Sequence, residues 1–206
     1  MSIEEKIKKL AVQTGFELCG ITTAEPFYDL EPILKQRIKD GTHSEFEELN
    51  LAKRLDPRLS APEANSIIAL AKAYYKPNLC KPEGQGWIAC CAKGRDYHLN
   101  FREGMEELSS LLKNELGLTP LESMVDTGPL VDRAVAARAG IGWYGKNCSI
   151  LAPSLGSWLV LGQILLKEKL KADAPLNDMC ASCDKCLKAC PTKALMGPYQ
   201  LNATMC

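Results

Sequence analysis

The stretch Cys180-Ala-Ser-Cys183-Asp-Lys-Cys186-Leu-Lys-Ala-Cys190-Pro191 carries the most specific chemistry in this chain. Three cysteines at successive intervals of three residues wrap one short loop around three corners of a cubane, and a fourth followed by proline leaves at the spacing of another ligand position. Bacterial ferredoxins use this spacing, and their fourth cysteine serves the other cluster of a two-cluster protein. Structural zinc motifs usually supply cysteines in two separated pairs, so the spacing favours [4Fe–4S] over zinc. Cys206, the last residue, is a fifth candidate ligand. With Cys180, Cys183 and Cys186 on three corners, either Cys190 or Cys206 closes a single cluster, or a non-cysteine ligand does, or further ligands lie beyond Cys206. At most one stable centre is expected, because two cubanes held by cysteine alone need about eight thiolates.

Working outward, the 206 residues are 46% hydrophobic, which suits one main globular domain and a small appendage. Lys and Arg total 25 against 25 Asp and Glu, so no whole-chain field draws the protein to nucleic acid or a membrane. The first ten residues alternate charge with an apolar helical face, unlike a signal peptide, and no later run approaches ~18 apolar residues. A cytoplasmic protein is expected, with no membrane partner. Clustered cysteines without an export signal favour metal binding over disulfides. Cys19, Cys90, Cys91 and Cys148 sit among apolar or small neighbours and read as small buried hydrophobes.

Residues 2–14 read as an amphipathic helix with Ile3, Ile7, Leu10 and Ala11 on one face, broken by Gly15 before a strand from Phe16 to Ile21. Further helices are expected over 29–40, 96–116 and 130–139, the second carrying Leu108, Leu111, Leu112 and Leu116 at core spacing. Strands are expected over 66–75, 87–91 and 156–166, with loops over 76–86 and 140–147 and a linker over 167–178. The pattern is α/β (α+β), with a boundary near residue 170.

Several short motifs in this order point to one family: Gly15-Phe-Glu-Leu-Cys-Gly-Ile21, Arg54-Leu-Asp-Pro57, Gly94-Arg-Asp-Tyr-His98, Val125-Asp-Thr-Gly-Pro129, Ala139-Gly-Ile-Gly-Trp-Tyr-Gly-Lys-Asn147, Gly156-Ser157 and the cysteine run. The chain resembles the N-terminal two thirds of the epoxyqueuosine reductases, cobalamin and iron–sulfur enzymes of queuosine biosynthesis. The resemblance implies a nitroreductase-like cobalamin-binding domain over 1–170 and a truncated ferredoxin-like [4Fe–4S] segment over 171–206. It also implies that electrons pass from cluster to cobalt and that Asp126 is the catalytic acid. Read alone, Asp126-Thr-Gly-Pro129 is also turn chemistry.

Arg54, Tyr97, Lys146, Asn147 and Ser157 are candidates for cobalamin contact, since the corrin carries amides needing donors and acceptors and a phosphate needing a cation. An ion pair for Arg54 and a solvated Lys146 are the plainer readings. The glycines of 140–145 allow close approach to a flat ligand, and tight helix–strand packing would use them equally. His98, beside Tyr97 at a helix start, reads as a capping residue, and the resemblance implies no histidine on cobalt. Family members carry Glu where this chain has Asp132. The second cysteine run and a helical domain for transfer RNA are expected outside these residues.

The leading expectation is therefore a cobalamin-dependent reductase of epoxyqueuosine in transfer RNA, fed by an electron-donor protein such as ferredoxin or flavodoxin. Two alternatives stand beside it: a non-catalytic electron carrier or corrinoid-binding module, and a reductase of small molecules related to reductive dehalogenases.

Overall fold

The computed structural model describes residues 1–75, 84, 86 and 88–206. Helices α1 (Ile3–Gln13), α2 (Glu31–Lys39), α3 (Leu51–Leu55), α4 (Tyr97–Leu116), α5 (Asp132–Arg138) and α6 (Lys185–Ala189) are interspersed with strands β1 (Leu18–Thr23), β2 (Ser66–Ala73), β3 (Pro120–Val125), β4 (Trp143–Tyr144), β5 (Ile150–Leu151), β6 (Leu159–Leu166), β7 (Leu195–Gly197) and β8 (Gln200–Leu201). The main sheet has the order β1-β2-β6-β3, every neighbouring pair antiparallel. β4–β5 and β7–β8 are separate two-stranded ladders.

The central strand β2 alternates its side chains between two cores, as a period of two residues requires. Ile68 and Leu70 join Ile7, Leu10, Phe16, Phe101, Leu108 and Leu112 from the α1 and α4 side. Ile67, Ala69 and Ala71 join Phe27, Leu34, Val135, Ala136 and Ile141 from the α2 and α5 side. The result is a layer of helices on each face of one sheet.

Local chemistry explains the helix ends. Ser2 accepts the Glu5 N–H at 3.2 Å while the Ser2 N–H donates to Glu5 at 2.8 Å, a capping box that starts α1. Asp96 caps α4, and Gly117 ends it at φ +65°. Gly20 permits the closest approach between layers, since a Cβ there would lie 2.1 Å from the Ala139 carbonyl oxygen.

Two expectations need correction. Ile3 is exposed, because the helix turns its first apolar residue past the edge of the core. No strand forms over 88–91: Cys90–Ala92 is a short 3-10 turn, and Trp87 lies outside the described residues. The stretch 167–178 has no regular structure, as the linker reading expects, and it is pinned to β1, with the Ile21 N–H donating to Asp173 and the Asp173 N–H donating to the Ile21 carbonyl, each at 2.8 Å. Residues 120–125, to which the sequence assigns no element, form β3 and pair with β6. Of the loop expected over 76–86, only residues 84 and 86 are among those described.

Candidate functional site

Strand β3 ends at Val125, and Asp126 follows at φ +54°, a left-handed conformation that aspartate tolerates better than most residues. The Thr127 N–H donates to the Val125 carbonyl at 2.5 Å and tightens the turn. This geometry presents the Asp126 carboxylate to the first turn of α4. There the Tyr97 hydroxyl donates to Asp126 Oδ2, and His98 Nε2 stands 3.5 Å from the same oxygen. The Tyr97 and His98 rings stack at 4.1 Å. His98 Nδ1 lies 2.8 Å from Asp96, whose carboxyl is held below its ordinary range by the His98 backbone N–H and then by the ring. His98 is thus tied to the capping residue of α4. Burial, then the bond to Asp126, pushes the Tyr97 phenol up, so it is a proton donor throughout the neutral range.

Asp132 stands behind Asp126, at the first position of α5. Its carboxylate accepts a hydrogen bond from the buried Gln163 amide at 2.8 Å. Burial, reinforced by the charge of Asp126, lifts its carboxyl from 3.8 to about 6, although Gln163 and Arg133 act against the rise. A cavity of about 390 Å³ opens here, lined by Tyr97, Asp126, Asp132, Arg54, Arg133 and Val131 among others.

A larger cavity of about 610 Å³ adjoins it and shares Arg54, Val131 and Arg133 as lining residues. Its walls are mostly apolar, including Phe27, Leu34 and Tyr144, but four guanidinium groups reach it. Arg54 is buried and donates to Glu47 at 2.7 Å, and Arg37 donates to the same carboxylate at 2.7 Å. Burial disfavours the Glu47 charge, yet the Ser44 N–H and the two guanidiniums hold its carboxyl below the ordinary value. Arg138 lies 3.4 Å above the Phe27 ring, and burial brings it down to about 10. Arg133 donates to the Cys148 carbonyl at 2.5 Å.

The far wall of this cavity is Trp143, Asp178 and Tyr199, next to the cysteine loop. The Cys183 N–H donates to the Cys180 carbonyl at 2.8 Å, and Ala181 takes φ +42°, which folds the loop into a tight turn. The Cys180 N–H donates to Asp178 at 2.7 Å. Lys146 Nζ donates to the carbonyls of Ala181 and Cys183, the latter at 3.1 Å. Cys186 follows on α6, and Cys190 ends that helix. Cys206 is exposed, with the nearby Ala203 N–H donating to the Thr42 carbonyl at 2.9 Å. Among the described residues no three Cys, His, Asp or Glu side chains converge on a point suited to a single metal ion. A cubane makes a different demand, since its sulfur ligands sit at separate corners.

The candidates from the motifs thus divide. Asp126 and Tyr97 meet, and Arg54 lines both cavities. Lys146 turns to the cysteine loop, Asn147 accepts the Ser149 N–H at 3.1 Å within its own turn, and neither Asn147 nor the half-buried Ser157 lines either cavity. Arg37, Arg133, Arg138 and Trp143 were not anticipated. Arg133 and Arg138 interrupt the small apolar residues of α5, and charge inside such a run is the signal that a buried polar site is present.

The family model for "Epoxyqueuosine reductase QueG, DUF1730" matches residues 54–127. The chain is 34% identical over 212 residues to the epoxyqueuosine reductase of Cellulophaga algicola, covering 100% of this chain and 69% of that relative. The chain belongs to the epoxyqueuosine reductase family. The epoxyqueuosine reductase of Bacillus subtilis is 41% identical over 209 residues, which are 99% of this chain and 54% of the relative, so the chain spans about half the length of several curated relatives. A crystal structure of epoxyqueuosine reductase with an epoxyqueuosine-modified tRNA-Tyr stem loop superposes with a TM-score of 0.94 at 41% identity, covering 99% of this chain and 56% of that one. A reductive dehalogenase in complex with 3-bromo-4-hydroxybenzoic acid has a TM-score of 0.66 at 16% identity, over 98% of this chain and 28% of its own. That second likeness is one of fold. No helix among the described residues is long and apolar enough to cross a membrane.

Proposed function

We propose that this chain forms the cobalamin- and cluster-bearing part of a cytoplasmic epoxyqueuosine reductase acting on transfer RNA. Residues 1–170 are assigned to a nitroreductase-like cobalamin domain and 171–206 to a ferredoxin-like segment. The observation that carries the reading is the pair of adjoining cavities sharing Arg54, Val131 and Arg133, with Asp126 at one end and the Cys180 loop at the other. An electron source, a cofactor and an acid acting in sequence need this linear order.

The residues suit both groups. The larger cavity, about 610 Å³ and mostly apolar, offers room for part of a flat macrocycle, while Arg37, Arg133 and Arg138 offer donors for amide oxygens and a phosphate. Cys180, Cys183 and Cys186 offer soft thiolate ligands on one short loop, with Cys190 or Cys206 as the fourth. Cobalamin supplies, when bound and reduced, the electron pair that opens the carbon–oxygen bond.

The chain's own residues handle protons and position. Converting an epoxide to an alkene consumes two electrons and two protons and releases water. Asp126 at the cavity mouth delivers a proton to the departing oxygen, and the Tyr97 hydroxyl holds that carboxyl in place. The bond from Tyr97 and the turn at Thr127 fix the acid before substrate arrives. A low-potential protein such as ferredoxin or flavodoxin is the proposed electron donor.

The test is anaerobic loading of the chain with iron, sulfide and cobalamin, followed by incubation with an epoxyqueuosine-modified stem loop and a chemical reductant. Mass spectrometry of the nucleoside is expected to show loss of one oxygen atom. Stoichiometric cobalamin uptake without that loss would reduce the chain to a corrinoid-binding module.

A further inference from the structure

Resting on the cluster reading above, we infer that Trp143 tunes the reduction potential of the iron–sulfur centre through a hydrogen bond from its indole N–H to the sulfur of Cys180. The bond spans 3.4 Å. Trp143 also lines the larger cavity, so one side chain touches both the cysteine loop and the space assigned to the cofactor. An indole N–H donates and cannot accept, which fixes the polarity of the contact. Donation to a ligating thiolate favours the more negative, reduced cluster, and the potential rises.

The position of the indole is held from several sides. Trp143 pairs with Leu151 in the β4–β5 ladder, and a Cβ on the preceding Gly142 would lie 2.4 Å from the Leu151 carbonyl oxygen. Gly140, at φ +72°, sits equally close to the pinned stretch after β6, 2.6 Å from the Ala174 carbonyl by the same measure. On the other side, Lys146 grips the carbonyls of Ala181 and Cys183, and its own carbonyl accepts the Tyr199 N–H at 3.2 Å. The glycine-rich stretch therefore acts as a clamp on the cysteine loop, with the indole as the part that reaches sulfur. This gives its glycines a packing role and its tryptophan an electronic one.

The test compares wild type with Trp143→Phe, which keeps an aromatic ring and deletes the N–H. Both are reconstituted anaerobically with iron and sulfide, analysed for iron, and titrated potentiometrically with EPR detection. Equal iron content and a more negative midpoint potential in the variant are expected, whereas equal potentials would overturn the inference. Pulsed EPR on reduced wild type carrying nitrogen-15 tryptophan covers the case in which the variant assembles poorly. Nitrogen coupling to the cluster supports the bond, and its absence overturns it. A wild type that binds no cluster would instead overturn the reading of the cysteine run itself.

Discussion

Tyr97 and Asp126 lie 29 residues apart in sequence and meet through one hydrogen bond, the phenol of Tyr97 donating to Oδ2 of Asp126. Each arrives from the end of a regular element, Tyr97 from the start of α4 and Asp126 from the turn after β3. The bond therefore reports on the docking of α4 against the edge of the sheet. It also orients the carboxyl group that, in its protonated form, is proposed to protonate the departing oxygen.

Asp126→Asn is expected to keep the fold and cobalamin uptake while lowering turnover by about 100-fold or more, since the amide retains shape but has no transferable acidic proton. Tyr97→Phe should cost less, about tenfold, because the acid remains and only its orientation loosens. Single-turnover assays on the modified stem loop, with circular dichroism as a check on folding, measure both. Full activity in Asp126→Asn would return that residue to the role of a turn former.

Asp132 gives a pH-dependent stability. Its carboxyl sits at about 6 in the folded chain against an ordinary 3.8, so the native state holds the proton more tightly than the unfolded state. The stability from this group is fully present below about pH 4 and is lost as pH rises through 6. Asp132→Asn escapes that loss and still offers an oxygen to Gln163. Its melting temperature should match wild type near pH 4 and exceed it at pH 8, by the equivalent of about 1–3 kcal/mol. A constant difference between the two proteins across that range would contradict the assignment.

The parts of this fold that were legible in the sequence are those with local chemistry. The Ser2–Glu5 capping box and Gly117 mark α1 and α4 within a residue or two. The apolar run 66–75 reads as a buried strand, and β2 occupies Ser66–Ala73 of it. Short apolar runs carry no such mark, and the strand expected over 87–91 does not form over its described residues, 88–91, for that reason. Strand β3 escaped notice because it begins at a proline and leaves Glu122 and Ser123 exposed at the sheet edge. In the site, Asp126 and the cysteines are legible through their motifs. Arg37, Arg133 and Trp143 become wall residues only when α2, α5 and the β4–β5 hairpin close on one another, a tertiary event that no spacing encodes.

Gly20→Ala should destabilise the fold by about 2–3 kcal/mol. The new methyl would meet the Ala139 carbonyl at 2.1 Å, and the obstacle is backbone, which cannot rotate away. Relief requires the end of α5 to lift from β1. Because the chain runs directly from Ala139 through Gly140 to Trp143, the same shift should disturb the cavity wall. Urea denaturation measures the first effect, and weakened cobalamin uptake below the unfolding transition measures the second. A neutral substitution would mean that the two layers are less closely packed than described.

The cysteine inventory sets a limit on iron. The C-terminal region offers Cys180, Cys183, Cys186, Cys190 and Cys206, whereas two cubanes held by cysteine alone require about eight thiolates. Five cannot serve both. Cys180, Cys183 and Cys186 should dominate assembly, because closing loops of three residues costs little chain entropy, and the Lys146 contacts to Ala181 and Cys183 already hold that loop in a turn. The competition is for the fourth corner. Cys190 leads on directly from α6, and backbone N–H groups, that of Leu195 first, hold its thiol below the ordinary value. Cys206 is exposed and further along the chain, past the β7–β8 ladder. Anaerobic reconstitution followed by iron and sulfide analysis should therefore give about four irons per chain, with Cys190→Ser lowering the yield more than Cys206→Ser. About eight irons per chain would sink the limit and mean that another chain or non-cysteine ligands complete a second cubane.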